Sequence, residues 1–225
     1  MINKNTFLNI VIEEFTKNAD INNAIAMEQY MRNKFVFFGI KAPERKQIQR
    51  TIIKKTGFPN IIDLEYITIS LWNNKYRELQ YFAMELLQEY LLELNINLLE
   101  KIITTKSWWD TIDSIASKLV GILFINNINL RDKYIEKWLI SNNIWLKRTS
   151  IIFQLKYKDK TDFELLKRII IQLKYEDNFF IKKAIGWALR EYSKSYPNKV
   201  IQLVNTIDLK PLSKKEGLKY INKNN

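Results

Sequence analysis

Trp109 and Asp113 stand four residues apart, so on a helix they are surface neighbours one turn from each other. The pair has two readings. One is a half-buried ring beside a solvated acid. The other is a carboxylate held against an aromatic wall at the edge of a cleft, where it could meet positive charge. The neighbouring acid has a plainer role. Ser107-Trp108-Trp109-Asp110 spells a capping box, with Ser107 as N-cap and Asp110 at the third helical position. Trp108, Ile112, Ile115, Ala116, Leu119, Ile122 and Leu123 share one apolar arc at about 100° per residue, which makes Trp108 a core residue.

Further along, Ile181, Ile185, Ala188, Leu189 and Tyr192 mark the buried side of a helix, and Trp187 points nearly opposite, on a face with Lys183, Arg190 and Lys194. Folding explains an outward Trp among cations poorly, because large exposed aromatics usually bind something. Phe180 lies on the same side and either offers a stacking surface or packs on a neighbouring helix. Arg148 is the converse case, a cation flanked by Ile144, Ile151, Ile152 and Leu155. Such an arginine needs an anionic partner, either an internal Asp or Glu or a phosphate held in bidentate fashion.

These residues must be carried by helices. The chain has 225 residues with 47 % apolar, enough for a large core, and only 5 Gly and 4 Pro, too few turn residues for a β-rich protein. Helical periodicity recurs near 6–17, 20–31, 43–56, 59–72, 75–90, 95–104, 108–125, 128–140, 144–155, 161–174, 178–194, 197–206 and 213–221. Pro43-Glu44 and Pro197 sit in first turns, and Thr161 and Ser213 read as N-caps. Alternate helices begin near 6, 43, 75, 107, 144 and 178, a spacing of 32–37 residues. Helix pairs at that interval mark an α-solenoid. The expected fold is all-α: one domain, 1–225, a curved stack of about six HEAT-like antiparallel pairs with a concave basic groove. First members of successive pairs line one wall, so Trp109, Asp113, Arg148 and Trp187 are expected to converge.

Composition narrows the chemistry. There is no His and no Cys, so catalysis must use carboxylates, Lys, Tyr or aromatic faces, and no zinc pattern is present. The absence of Cys fits a reducing cytoplasm. No apolar run approaches 18 residues, and acids interrupt the N-terminal stretch MINKNTFLNIVIEEF, so neither export by a signal peptide nor membrane spanning is expected. The net charge of +12, from 36 basic and 24 acidic residues, suits a polyanionic partner, nucleic acid first. An AT-rich genome, with its Ile, Asn and Lys codons, is the alternative source of that excess.

SWWDTIDSIASKLVG (107–121), LKRTSIIFQLKYKDKTD (146–162) and DNFFIKKAIGWALREYSKSYPNKV (177–200) resemble the signature segments of the AlkD-type DNA alkylation repair glycosylases. YMRNKFVFFGIKAPERKQIQR (30–50) and LKPLSKKEGLKYI (209–221) resemble that family's ends, so the resemblance covers nearly the whole chain. It implies HEAT-like helical pairs with duplex DNA in the concave groove, and hydrolysis of the N-glycosidic bond of N3- and N7-alkylated purines without metal or cofactor. It implies Asp113 as the catalytic carboxylate, Trp109 and Trp187 as aromatic walls at the lesion nucleotide, and Arg148 as a DNA contact. Where relatives often carry Arg at 147 and 182, this chain has Lys147 and Lys182. Lys147, Lys183, Arg190 and Lys194 then join Arg148 as expected DNA contacts. A monomer in a bacterial cytoplasm, associated with the nucleoid through DNA, completes the expectation. The rivals are a non-catalytic HEAT-like DNA-binding protein and a protein-binding scaffold.

Overall fold

The computed structural model describes residues 2–224, and its only non-helical pairing among them is an isolated β-bridge between Val36 and Tyr76. The all-α class is as read from the sequence. By packing, the chain divides into two compact units, Met1–Glu93 and Leu94–Asn225.

The first unit holds α1 (Lys4–Lys17), α2 (Ile21–Tyr30), α3 (Ala42–Thr56), α4 (Ile61–Asn73) and α5 (Arg77–Leu86), which tightens into a 3-10 turn at Leu87–Tyr90. Its core is aromatic: Phe15 meets Phe82 edge-on at 5.7 Å and Phe38 at 6.1 Å. The loop between α2 and α3 has few helical partners for its backbone, and α5 supplies them. The buried Glu78 carboxylate accepts the N–H groups of Phe38, Gly39 and Ile40 at 3.0, 2.9 and 3.1 Å. Burial pushes the Glu78 carboxyl above its usual range, while these N–H groups pull the other way. Gly39 is required here. Its φ is +90°, and a Cβ would lie 1.9 Å from the Asp20 carbonyl oxygen.

The second unit holds α6 (Ile96–Thr104), α7 (Trp109–Ile115), a π-turn (Ala116–Val120), α8 (Gly121–Asn126), α9 (Ile128–Leu139), α10 (Ile144–Ile152), α11 (Phe163–Leu173), α12 (Phe179–Ser193), α13 (Pro197–Thr206), α14 (Pro211–Leu218) and α15 (Ile221–Asn224). Phe124 is packed between Trp138 and Phe153, with ring centroids 5.6 and 5.4 Å away.

Asparagine and aspartate start many of these helices. Asn3, Asp20, Asn60, Asn95, Asn127, Asn143, Asp162 and Asn178 each accept a backbone N–H from the first turn. Six of the 23 asparagines therefore serve as helix caps, whatever their genomic origin. Three sequence expectations need correction. Asp162, not Thr161, caps α11. Helix α14 begins earlier than expected, at Pro211, and the Ser213 hydroxyl donates instead to the Lys182 carbonyl at 3.0 Å. Helix α7 begins at Trp109 with Trp108 in the cap position, and the Ser107 hydroxyl donates to the Ile103 carbonyl.

The fourth correction concerns phase. A regular helix over 108–125 would bury Ile122 and Leu123, but both are half-buried, while Val120, Gly121 and Phe124 are buried. The π-turn is the reason. The Gly121 N–H bonds to the Ala116 carbonyl five residues back, so one extra residue is accommodated and later side chains rotate by about 100°. Phe124 takes the place that Leu123 would have held.

Gly39→Ala should lower stability by at least about 2 kcal/mol, because it adds both strain at positive φ and a backbone clash. Gly57 also has positive φ, but a Cβ there would meet nothing within 4 Å, so Gly57→Ala should cost less. Thermal unfolding of the two variants checks the order.

Candidate active site

Asp113 occupies the second turn of α7 and Arg148 the middle of α10. The Arg148 guanidinium donates through Nε to Asp113 Oδ1 at 2.7 Å and through Nη2 to Oδ2 at 2.8 Å, a side-on bidentate pair. Its Nη1 donates to the Phe180 carbonyl at 2.6 Å, in the first turn of α12. One cation thus joins three helices. Arg148 is 5 % exposed and the Asp113 side chain 17 %, so the acid keeps a small opening to solvent while its partner has almost none.

An aromatic trio is built from the same helices and the residue that caps one of them. Phe180 lies 5.1 Å from Trp108 and 4.9 Å from Trp145, and those two indoles are 5.8 Å apart. Of the two readings of Phe180, packing is the observed one. The electrostatics are a contest. Burial pushes the Asp113 carboxyl up, the Arg148 hydrogen bonds and charge pull it down, and Asp110 adds a smaller upward push; burial wins, leaving it above the ordinary carboxylate value.

Trp109 and Trp187 are both half-buried. Trp109 opens α7, one turn before Asp113. Trp187 lies on α12, about two turns beyond Phe180, and its indole makes no hydrogen bond, ring contact or cation contact among the described residues. Thus the structure joins Asp113 directly to Arg148 and places Trp109 and Trp187 on helices that this pair ties together.

The cations expected around them all have acidic partners. Lys147 bonds to Glu176. Lys183 and Arg190 grip the two oxygens of Glu216 at 2.9 and 3.0 Å, and Lys194 bonds to Glu191 at 2.8 Å. The Lys183 hydrogen bond above all, with the charges of Lys183, Arg190 and Lys219, holds the Glu216 carboxyl below its usual range against burial. Glu216 was missed in the sequence, although two glycines signalled the approach of its helix. A Cβ at Gly186 would lie 2.4 Å from Glu216 Cβ, and one at Gly217 would lie 3.1 Å from Leu189 Cβ, so α12 and α14 meet nearly backbone to backbone.

Among the described residues no group of three or more acids is placed to hold a metal ion, and no helix is long and apolar enough to cross a membrane.

A helical unit with a buried acid–arginine pair, and half-buried indoles on the helices it joins, is the class of site these residues define, and comparison with known proteins gives that class a family. Residues 11–221 match the model of the DNA alkylation repair enzymes. The chain is 31 % identical to a structure described as a predicted DNA alkylation repair enzyme from Enterococcus faecalis, with a TM-score of 0.83 over 91 % of this chain and 97 % of that one. The chain belongs to the DNA alkylation repair enzyme family. Two more distant structures share the fold. AlkD2 from Streptococcus mutans is 18 % identical with a TM-score of 0.59, covering 88 % of this chain and 98 % of that one. The protein smu.31 from Streptococcus mutans UA159 is 17 % identical with a TM-score of 0.62, covering 86 % and 98 %. A search of curated proteins finds no match.

Arg148→Gln strands a buried carboxylate and should cost about 3–5 kcal/mol at neutral pH. The variant loses both influences that lower the Asp113 pKa, so its carboxyl titrates higher than in the wild type. A raised folded-state pKa makes ionisation the destabilising event. The deficit should therefore shrink as pH falls from neutral through the variant's carboxyl pKa. Urea unfolding of both proteins across that window checks it.

Proposed function

We propose that this family member is a DNA glycosylase that hydrolyses the N-glycosidic bond of cationic N3- or N7-alkylated purines in duplex DNA. The observation that carries the reading is an acid fixed in orientation by a bidentate arginine, yet still partly open to solvent.

Alkylation at N3 or N7 gives the purine a full positive charge, so it leaves with the bonding electron pair as a neutral base and needs no general acid. That fits a chain without His. As the bond breaks, positive charge builds on the sugar. A carboxylate stabilises it more in the transition state than in the ground state. Water then adds its oxygen to the sugar carbon, and its proton passes to Asp113 or to solvent. Arg148 favours the ionised form of Asp113 against burial and holds both oxygens in one plane. Two of the five N–H groups of its fork remain, but the side chain is only 5 % exposed, so a phosphate would reach them only if the junction opened. The indole faces of Trp109 and Trp187 attract a cationic nucleotide by roughly 0.5–2 kcal/mol and keep bulk water away. Lys147, Lys183, Arg190 and Lys194 would exchange carboxylate partners for phosphates, a sequence-independent and salt-sensitive contribution.

One observation favours a second reading, a DNA-binding protein without catalysis: both Asp113 oxygens already accept from Arg148. Asp113→Asn separates the two. Under the glycosylase reading it retains duplex affinity and loses base release from methylated DNA by at least about a hundredfold. Release equal to the wild type's, or absent from both proteins, favours the second reading. Glu216→Gln should relieve Lys183 and Arg190 of their internal anion. Duplex binding should tighten at low salt, and the log–log salt slope should steepen by up to about one per released cation. Weaker binding would mean instead that Glu216 holds the two cations in place. Fluorescence anisotropy at several salt concentrations reads both quantities.

A further inference from the structure

We propose that Gly121 and Tyr157 are positioning residues that set the register of the Asp113–Arg148 pair, through the seating of the end of α10 on the widened turn after Asp113. The inference rests on the glycosylase reading for its catalytic consequence, and on the geometry alone for its structural one.

The argument begins at the π-turn. Asp113 faces Arg148 from one side of this turn, and Phe124 faces Trp138 and Phe153 from the other. In a regular helix these two faces would differ by the extra residue's rotation. Burying Phe124 would then swing the acid about 100° from α10. The wide turn lets both faces be satisfied, and widened turns of this kind recur at functional sites.

A wide turn must be held open, and two contacts at one residue do this. The Phe153 carbonyl, at the end of α10, seats against Gly121 so closely that a Cβ there would lie 2.5 Å from its oxygen. The Tyr157 hydroxyl, just beyond, donates to the Gly121 carbonyl at 2.5 Å. Tyrosine is protonated throughout the neutral range in any case, and burial pushes the Tyr157 hydroxyl pKa higher still, so the donor is not lost. Within the first side of the turn, the Ser117 hydroxyl donates to the Asp113 carbonyl at 2.7 Å. The two helices are therefore pinned at Gly121, eight residues after the acid on one chain segment and five after the arginine on the other. A shift at the pin is carried by rigid helix to the pair.

Gly121→Ala and Tyr157→Phe test this, with wild type, in three measurements. Duplex affinity is read by anisotropy, and single-turnover base release from methylated DNA is resolved into amplitude and rate constant. Solvent exchange of the Arg148 Nε–H proton is read by NMR. Gly121→Ala should keep affinity within about twofold and lower the rate constant about tenfold or more, since small misplacements at a reacting centre cost that much. Tyr157→Phe should give a smaller fall in the same direction. Both should speed Nε–H exchange. A merely structural role would lower the amplitude, as less protein folds, and leave the rate constant and the exchange unchanged; that result overturns the proposal. If Gly121→Ala does not fold, Tyr157→Phe decides alone. If the wild type releases no base, the glycosylase reading fails, and the exchange rates still decide whether Gly121 and Tyr157 set the pair.

Discussion

The second unit is organised around the need to house one guanidinium out of water. A buried arginine costs several kcal/mol unless its donors are met, and Arg148 meets its need with an acid from one helix and a carbonyl from another. That demand fixes α7, α10 and the first turn of α12 against one another more narrowly than apolar packing would. Replacing such a pair by well-packed apolar groups is often neutral or stabilising, so stability alone is a weak reason for keeping it. The Trp108–Trp145–Phe180 cluster is carried by the same three helix ends and adds apolar packing to the junction.

The basic character of the chain is less open than its net charge suggests. Around Trp187 the cations are held by carboxylates, with Glu216 shared between Lys183 and Arg190. A polyanion meeting this face has to compete with internal acids that already hold good geometry. Affinity there becomes a difference between two similar interactions, whereas the half-buried indole of Trp187 makes no hydrogen bond, ring contact or cation contact among the described residues that a ligand would have to replace.

The helices were legible because their periodicity is local: most observed bounds fall within two or three residues of expectation, and 197–206 was met in full. The need of Arg148 for an anion was legible too, from the isoleucines around it. Which anion was not, because Asp113 lies 35 residues away and nothing local distinguishes it from a phosphate. Glu216 was hidden for the same reason, 33 residues from Lys183, with only Gly186 and Gly217 hinting at the close approach. The π-turn failed to register because the segment is apolar on either phase: Ile122, Leu123 and Phe124 are adjacent, and only tertiary packing chooses among them.

That choice makes the distance along the chain between Asp113 and Phe124 a fixed quantity. Loops usually absorb insertions and deletions, and regular helices can tolerate them in whole turns. Here the count between the two residues includes a single surplus position at Ala116–Val120. Removing one residue would regularise the hydrogen-bond ladder, a local gain, and would face the acid elsewhere. Related sequences aligned through this segment should therefore vary in residue type far more readily than in length.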